Sequence, residues 1–133
     1  MDITQREKEG IVILDLSGRL IVGDPVTELR ERIADIAKQG RVAIILNLRG
    51  VDYIDSTGLG GMVICFTNLK KAGGALKLLK LNKRTADLLV LTKLNTVFQV
   101  FDDEQDAVNS FFPNREIKKF DILDFVQQHA EEQ

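Results

Sequence analysis

Apolar residues along this chain come in short β-branched runs separated by stretches of helical spacing. Ile11-Val12-Ile13-Leu14-Asp15-Leu16, behind the turn-like Lys8-Glu9-Gly10, reads as a strand, and Asp2 to Arg6 completes an N-terminal hairpin with it. Ser17-Gly18 is expected to break that strand, leaving a short extension at Arg19-Leu20-Ile21. Asp24-Pro25 marks a helix start, because Asp caps free amides and Pro tolerates the first helical position. Val26, Leu29, Ile33 and Ile36 follow at helical spacing, and Gly40 suits a left-handed helix end. Val42-Ala43-Ile44-Ile45-Leu46 is almost uniformly apolar, as a central strand covered on both faces requires.

Leu59, Met62, Val63, Phe66 and Leu69 mark a second helix, stopped by Gly73-Gly74. A strand over Ala75 to Leu81, a helix over Lys83 to Thr92, a strand over Val97 to Phe101 and a short helix from Glu104 to Phe112, closed by Pro113, complete the pattern. Strands alternating with helices imply parallel crossovers, hence an α/β domain with one mixed, mostly parallel sheet. From Asn114 the texture changes: Ile117, Phe120, Leu123 and Val126 recur every three residues, while Ile122 and Phe125 fall off that stripe. A terminal helix docking onto its own domain is the plain reading, and a homodimer or partner contact through it the sharper one.

Composition narrows the chemistry. The 133 residues carry 18 Lys+Arg against 20 Asp+Glu, a formal net charge of −2, which gives no general attraction to nucleic acid or anionic lipid. One Cys and one His leave no intrachain disulfide, no Cys-rich zinc site and little scope for a His-based triad. No metal or cofactor is expected. The start, Met1 to Lys8, lacks the apolar core of a signal peptide, no later run is long enough to span a bilayer, and a reducing, cytoplasmic setting is the expectation.

The most unusual segment is Val51-Asp52-Tyr53-Ile54-Asp55-Ser56-Thr57-Gly58-Leu59-Gly60-Gly61, between the apolar strand and the second helix. That is the carboxyl end of a strand, where ligand sites of α/β sheets collect. Capping by Asp55, Ser56 or Thr57 needs no function to explain it. The glycines are less easily absorbed, since each costs on the order of 1 kcal/mol against Ala in a helix interior. Either close helix–sheet packing requires them or another molecule approaches bare backbone here. Three enzyme motifs fail: a nucleophile elbow needs Gly where Ile54 stands, a phosphate loop needs Lys after Gly61, and a dinucleotide fingerprint needs Gly at Val63. What remains is an accessible hydroxyl at a helix start, where free amides could hold an added phosphate.

Asp55-Ser56-Thr57-Gly58-Leu59-Gly60, set between an apolar strand and an amphipathic helix, resembles the signature of STAS domains, and more narrowly of the bacterial anti-sigma factor antagonists. Leu16-Ser17-Gly18-Arg19-Leu20, Leu46-Asn47-Leu48 and Ala72-Gly73-Gly74 extend the resemblance over roughly Ile3 to Phe112. It implies a STAS-like domain over 1–112, with about four helices largely on one face of the sheet; residues 113–133 exceed that core and read as a helical C-terminal extension. It also implies a partner switch: the unphosphorylated antagonist binds an anti-sigma factor that is a serine kinase, so that a sigma factor is released. Phosphorylation ends that binding, and a PP2C-like serine phosphatase resets it. By position the phosphoacceptor is Ser56, with Thr57 second; Asp24, Asp55, Ser56, Thr57, Gly58, Leu59, Gly60 and Gly61 form the partner-binding set. The antagonist itself would carry no catalytic residue and no cofactor. Antagonists often have an acid directly after Gly-x-Leu; here Gly18-Arg19-Leu20 is followed by Ile21, and the nearest acid is Asp24, whose capping role is the simpler explanation.

Ser56 to Ala86 holds no acidic residue but Lys70, Lys71, Lys77, Lys80, Lys83 and Arg84. These read as solvated helix ends, strand and turn positions, with an edge for an acidic partner as the alternative; the lack of interleaved aromatics argues against direct nucleic-acid binding. Cys65 reads as a core residue, His129 as solvent-facing, and Tyr53 and Phe66 as core or as walls near Ser56. Two further functions stand beside the switch: a STAS scaffold or ligand-sensing subunit without phosphorylation, motivated by the tail, and an enzyme centred on Ser56, for which no base is at hand.

Overall fold

The computed structural model describes residues 1–130. Its sheet has the order β1-β2-β3-β4-β5, formed by Asp2–Lys8, Ile11–Leu20, Ala43–Ile54, Ala75–Leu79 and Val100–Phe101. β1 and β2 are the antiparallel hairpin, and every later pairing is parallel. Between the strands run α1 (Asp24–Lys38), α2 (Ser56–Lys71) and α3 (Lys83–Leu91), and α4 (Glu104–Asn109) and α5 (Ile122–Gln128) follow β5.

Alternation along the central strands builds two cores. Val12, Leu14 and Leu16 of β2, Ile44, Leu46 and Leu48 of β3, and Leu76 and Leu78 of β4 face α1, α2, α3 and α5. Ile13, Ile45 and Leu79 face the other way and meet Ala107 and Val108 of α4. Helices therefore lie largely on one face. α1 is fixed by Val26, Leu29, Ile33 and Ile36, each buried side chain contributing about 1.5–3 kcal/mol. At its end Gly40 takes φ +81 and its amide bonds to Ala37 O at 2.9 Å, as the left-handed stop requires. Beyond the sheet's far face, Arg6 bridges Asp15 and Glu104, with Nε 2.6 Å from Asp15 Oδ2 and Nη1 3.0 Å from Glu104 Oε2.

Several expectations change. Ser17-Gly18 does not break β2: the strand runs on to Leu20 through irregular register at Asp15/Ser17 and Gly18/Arg19, because β3 continues to pair with it. β3 likewise extends through Val51 to Ile54, so the front of the unusual segment is strand. Asp24 is not a cap; Gly23 holds that position and no side chain bonds the first turn of α1. The strand expected from Val97 shrinks to Val100–Phe101, after a 3-10 turn at Leu94–Thr96 that still buries Phe98. α4 stops at Asn109, short of Phe112.

Lys77 is buried rather than solvated, since β4 alternation turns it inward. Its ammonium donates to Ser110 O at 3.0 Å and to Ser110 Oγ at 2.9 Å and sits 4.2 Å from the Phe111 ring centroid. The three-residue stripe of the tail is not a helix face, because helix begins only at Ile122. Ile122 is buried, Phe120, Phe125 and Val126 pack against the main core, and Ile117 and Leu123 are exposed. α5 thus docks on its own domain beside α3. His129 is half-buried, its ring 4.5 Å from that of Phe125. The last three positions of the expected extension, 131–133, lie outside the described residues.

Candidate functional site

Three elements converge where α2 begins. β3 ends at Ile54 beside Leu20 of β2, and the Asp55 amide donates to Leu20 O at 3.2 Å. The Asp55 carboxylate then works in two directions. Oδ1 accepts from the Gly58 amide at 2.7 Å, capping α2, while Oδ2 accepts from the Val22 amide at 2.9 Å, tying down the loop before α1. These donors, Gly58 foremost and Val22 next, hold the carboxyl below the usual Asp range, and the Thr57 amide and the Arg19 charge add to the effect. Asp55 alone, of the three candidate caps, performs the task.

That arrangement alters the expected anion site. The Gly58 and Thr57 amides already face Asp55, and the Leu59 amide bonds to Asp55 O at 2.9 Å. The first turn therefore has few amides left for an added phosphate.

The glycines separate by what surrounds them. A Cβ on Gly58 would lie 2.2 Å from Leu20 O, so α2 meets the end of β2 there backbone to backbone. A Cβ on Gly61 would lie 2.9 Å from Val26 Cγ1, where α1 crosses close. Gly60 is exposed and has open space around it. Packing accounts for Gly58 and Gly61 and leaves Gly60 unexplained. The expected partner-binding set divides the same way: Ser56, Thr57 and Gly60 are exposed, Asp55 is half-buried, and Gly58, Leu59 and Gly61 face the interior. The Ser56 hydroxyl makes no hydrogen bond among the described residues. Asp24 is exposed in the first turn of α1, two residues beyond the Val22 that Asp55 holds. Before it stand Ile21, half-buried, and Val22, 64% exposed.

Residues that sequence reading did not assign to the site line a groove of about 580 Å³ beside Ser56. Leu88 and Leu91 of α3 and Val126 of α5 form apolar walls, and Leu91 is 82% exposed. Tyr53 and Arg84 line it too, the Arg84 guanidinium 5.9 Å and that of Arg19 5.6 Å from the Tyr53 ring centroid. Asn82 fastens this side, its amide donating to Val51 O at 2.9 Å while its oxygen caps α3 at the Thr85 amide. Only the cation run around Lys83-Arg84 and the placement of Tyr53 hinted at these neighbours. Cys65 is buried within α2, its thiol pushed up to about 11 by that burial. Among the described residues no cluster of three or more His, Cys, Asp or Glu could hold a metal, and no helix is long and apolar enough to cross a membrane.

A parallel sheet with an N-terminal hairpin, a serine opening the helix after its longest strand, and glycines that let that helix close on the sheet define a STAS domain. The family model described as STAS domain matches residues 2–107, and the chain belongs to that family. Within it the chain is similar to the anti-sigma-B factor antagonist of Bacillus subtilis, 35% identical over 109 residues, covering 81% of this chain and 95% of that protein. The same fold is found in the anti-sigma factor antagonist SpoIIAA in its unphosphorylated form, with TM-score 0.64 and 21% identity over 84% of this chain and 99% of that one. It is found equally in the phosphorylated form of the Bacillus cell fate determinant SpoIIAA, with TM-score 0.66 and 20% identity over 83% and 99%.

Proposed function

We propose that this protein is an anti-sigma factor antagonist that works as a phosphorylation-controlled binding module. Unphosphorylated, it binds an anti-sigma factor with serine kinase activity and releases a sigma factor; phosphate on Ser56 ends that binding, and a PP2C-like serine phosphatase restores it. The observation that carries the reading is the exposed, unbonded Ser56 hydroxyl on a helix whose own start is already satisfied by Asp55. Modification there leaves the fold's hydrogen bonds intact, yet adds roughly −1.5 to −2 charges to a surface whose chain totals −2. The similarity to the Bacillus subtilis antagonist supports the partner class. Thr57 is the second candidate acceptor, and Gly60 a place for close backbone approach by the partner. The protein needs no catalysis of its own in this scheme, and it acts in the cytoplasm, where the sigma factor and kinase work.

The test is phosphorylation by the cognate kinase with ATP, followed by peptide mass spectrometry. Ser56 carries the phosphate, Ser56→Ala abolishes it and remains folded, and Thr57→Ala does not abolish it. Ser56→Ala stays bound to the kinase in the presence of ATP, and Ser56→Asp binds more weakly. Phosphate elsewhere, or none with an active kinase, overturns the scheme. A scaffold assembled through the tail has less to work with, because Phe120, Ile122, Phe125 and Val126 lie on the chain's own core and only Ile117 and Leu123 of its large apolar residues are left exposed.

A further inference from the structure

Phosphate on Ser56 raises a physical problem that the site itself answers. The Thr57, Gly58 and Leu59 amides of α2 are engaged with Asp55, and the Asp55 carboxylate, held ionised, stands next to the modified residue. An added dianion therefore meets repulsion, and it gains little from the helix start. The charged side chains lining the groove beside Ser56 are Asp55, Arg84 and Asp87. Asp87 is already paired with Lys83 at 2.5 Å, four residues earlier on α3. Arg84 has no carboxylate partner among the described residues, and neither has Arg19, which is close enough to act on Asp55. Both guanidiniums lie over the Tyr53 ring, two strand positions before Asp55. Cation–π stacking leaves the edge N–H groups of an Arg free, and that planar fork suits phosphate oxygens.

We propose that Arg84 and Arg19, held on Tyr53, form an intramolecular receptor for a phosphate dianion on Ser56. The inference rests on the reading of Ser56 as the phosphoacceptor, and it deepens it. Phosphorylation then does more than add repulsive charge: it draws Arg84 toward the head of α2 and changes the mouth of the groove that α3 and α5 wall.

The experiment needs no kinase. Phosphoserine is incorporated at position 56 of the full chain by genetic encoding, and the second ionisation of the phosphate is followed by phosphorus NMR against pH. An unassisted phosphoserine titrates at about 6. The receptor predicts a midpoint at least about half a unit lower in the parent. It also predicts a return to about 6 or above in Arg19→Gln/Arg84→Gln, where Asp55 acts unopposed. Tyr53→Ala, which frees both guanidiniums, moves the midpoint in the same direction. Arg49→Gln, an exposed cation earlier on β3 that does not line the groove, leaves it in place. A parent midpoint at 6 or above overturns the receptor, and so does an equal shift from Arg49→Gln. Thermal melts of each variant separate a lost receptor from a lost fold. Because the phosphate is installed directly, a kinase that ignores Ser56 defeats the function proposed above without touching this measurement, and the reverse also holds.

Discussion

Substituting Gly58 and Gly60 by Ala separates what the fold demands from what a partner demands. In Gly58→Ala the new methyl would stand 2.2 Å from Leu20 O, 3.0 Å from Leu20 C and 3.1 Å from Ile54 Cγ2. Two of these atoms are backbone of Leu20 in β2, held by its pairing with Ile54 of β3 and by the Asp55 amide, so α2 has to move away by about an ångström. Overpacking of this kind costs about 1–3 kcal/mol. The start of α2 also holds the Asp55–Gly58 bond, which the shift stretches, so the upper part of that range is expected. Better helix propensity returns less than about 1 kcal/mol. The net loss is about 2 kcal/mol. For a domain between the sizes usually tabulated, 1 kcal/mol moves Tm by about 3–5 °C, so Tm falls by about 6–10 °C.

Gly60→Ala should do the opposite. Its methyl meets nothing within 4 Å, and propensity raises stability by a few tenths to about 1 kcal/mol. Gly61→Ala falls between, since the atom met at 2.9 Å is a side-chain methyl of Val26 rather than backbone. The assay is thermal and urea unfolding followed by circular dichroism, with kinase binding measured beside it. Gly60→Ala is expected to keep or gain stability while weakening the complex. A Gly58→Ala protein as stable as the parent would refute the backbone-contact argument. A Gly60→Ala protein that binds the kinase unchanged would remove the role given to that open space.

Asp55 should titrate below the ordinary carboxyl midpoint of about 3.9, with the Gly58 and Val22 amide resonances following it, because both amides favour its charged form; a midpoint at or above the ordinary value sinks the two-way cap. A depressed pKa means that the stabilisation is present above about pH 4 and is lost as pH falls through the lowered value. Arg6→Ala leaves Asp15 and Glu104 without the guanidinium that lowers both their pKa values. By the same sign it should cost about 1 kcal/mol at pH 7 and almost nothing at pH 2, the pairs being partly exposed; urea midpoints displaced equally at both pH values would contradict it. Ile122→Asp, at a buried position, should detach α5 and cost about 2 kcal/mol, whereas Leu123→Asp, 58% exposed, should stay within about 0.5 kcal/mol of the parent. Hydrogen exchange over α3 and α5 reports the detachment, and equal protection in the two variants would argue against the docking.

Local signals carried the elements whose causes are local. The apolar run through Leu46 is a central strand, the spacing from Val26 to Ile36 is the buried face of α1, and Asp55 caps the helix that its position announced. What stayed hidden depends on partners distant in sequence. β3 continues past Arg49, Gly50 and Asp52, which punctuate the pattern like a loop, because an irregular β2 keeps offering it hydrogen bonds. Lys77 looks like one solvated cation among several until Ser110, 33 residues away, is brought against it. The tail's three-residue spacing was misleading for the same reason, since α3, not the local period, decides that Ile122 is covered and Leu123 is not. At the site, the motif announced a special helix start, but which glycine serves packing and which faces open space is written only in the approach of Leu20 and Val26.

Those approaches explain how one short segment can serve structure and regulation without conflict. The backbone contacts that fix the head of α2 are made by groups other than the Ser56 side chain. Leu20 O receives the Asp55 amide, Asp55 caps the helix and holds Val22, and Leu59 anchors the first turn in the core. The proposed phosphate on Ser56 would therefore change the local charge while the sheet and helices stay fixed. The consequence falls on what is exposed around it: Thr57, Gly60, Val22, Leu91 and the two arginines on Tyr53. The switch proposed here would act through its surface potential and a few side chains, so its two states should share one backbone and differ in which partner they hold.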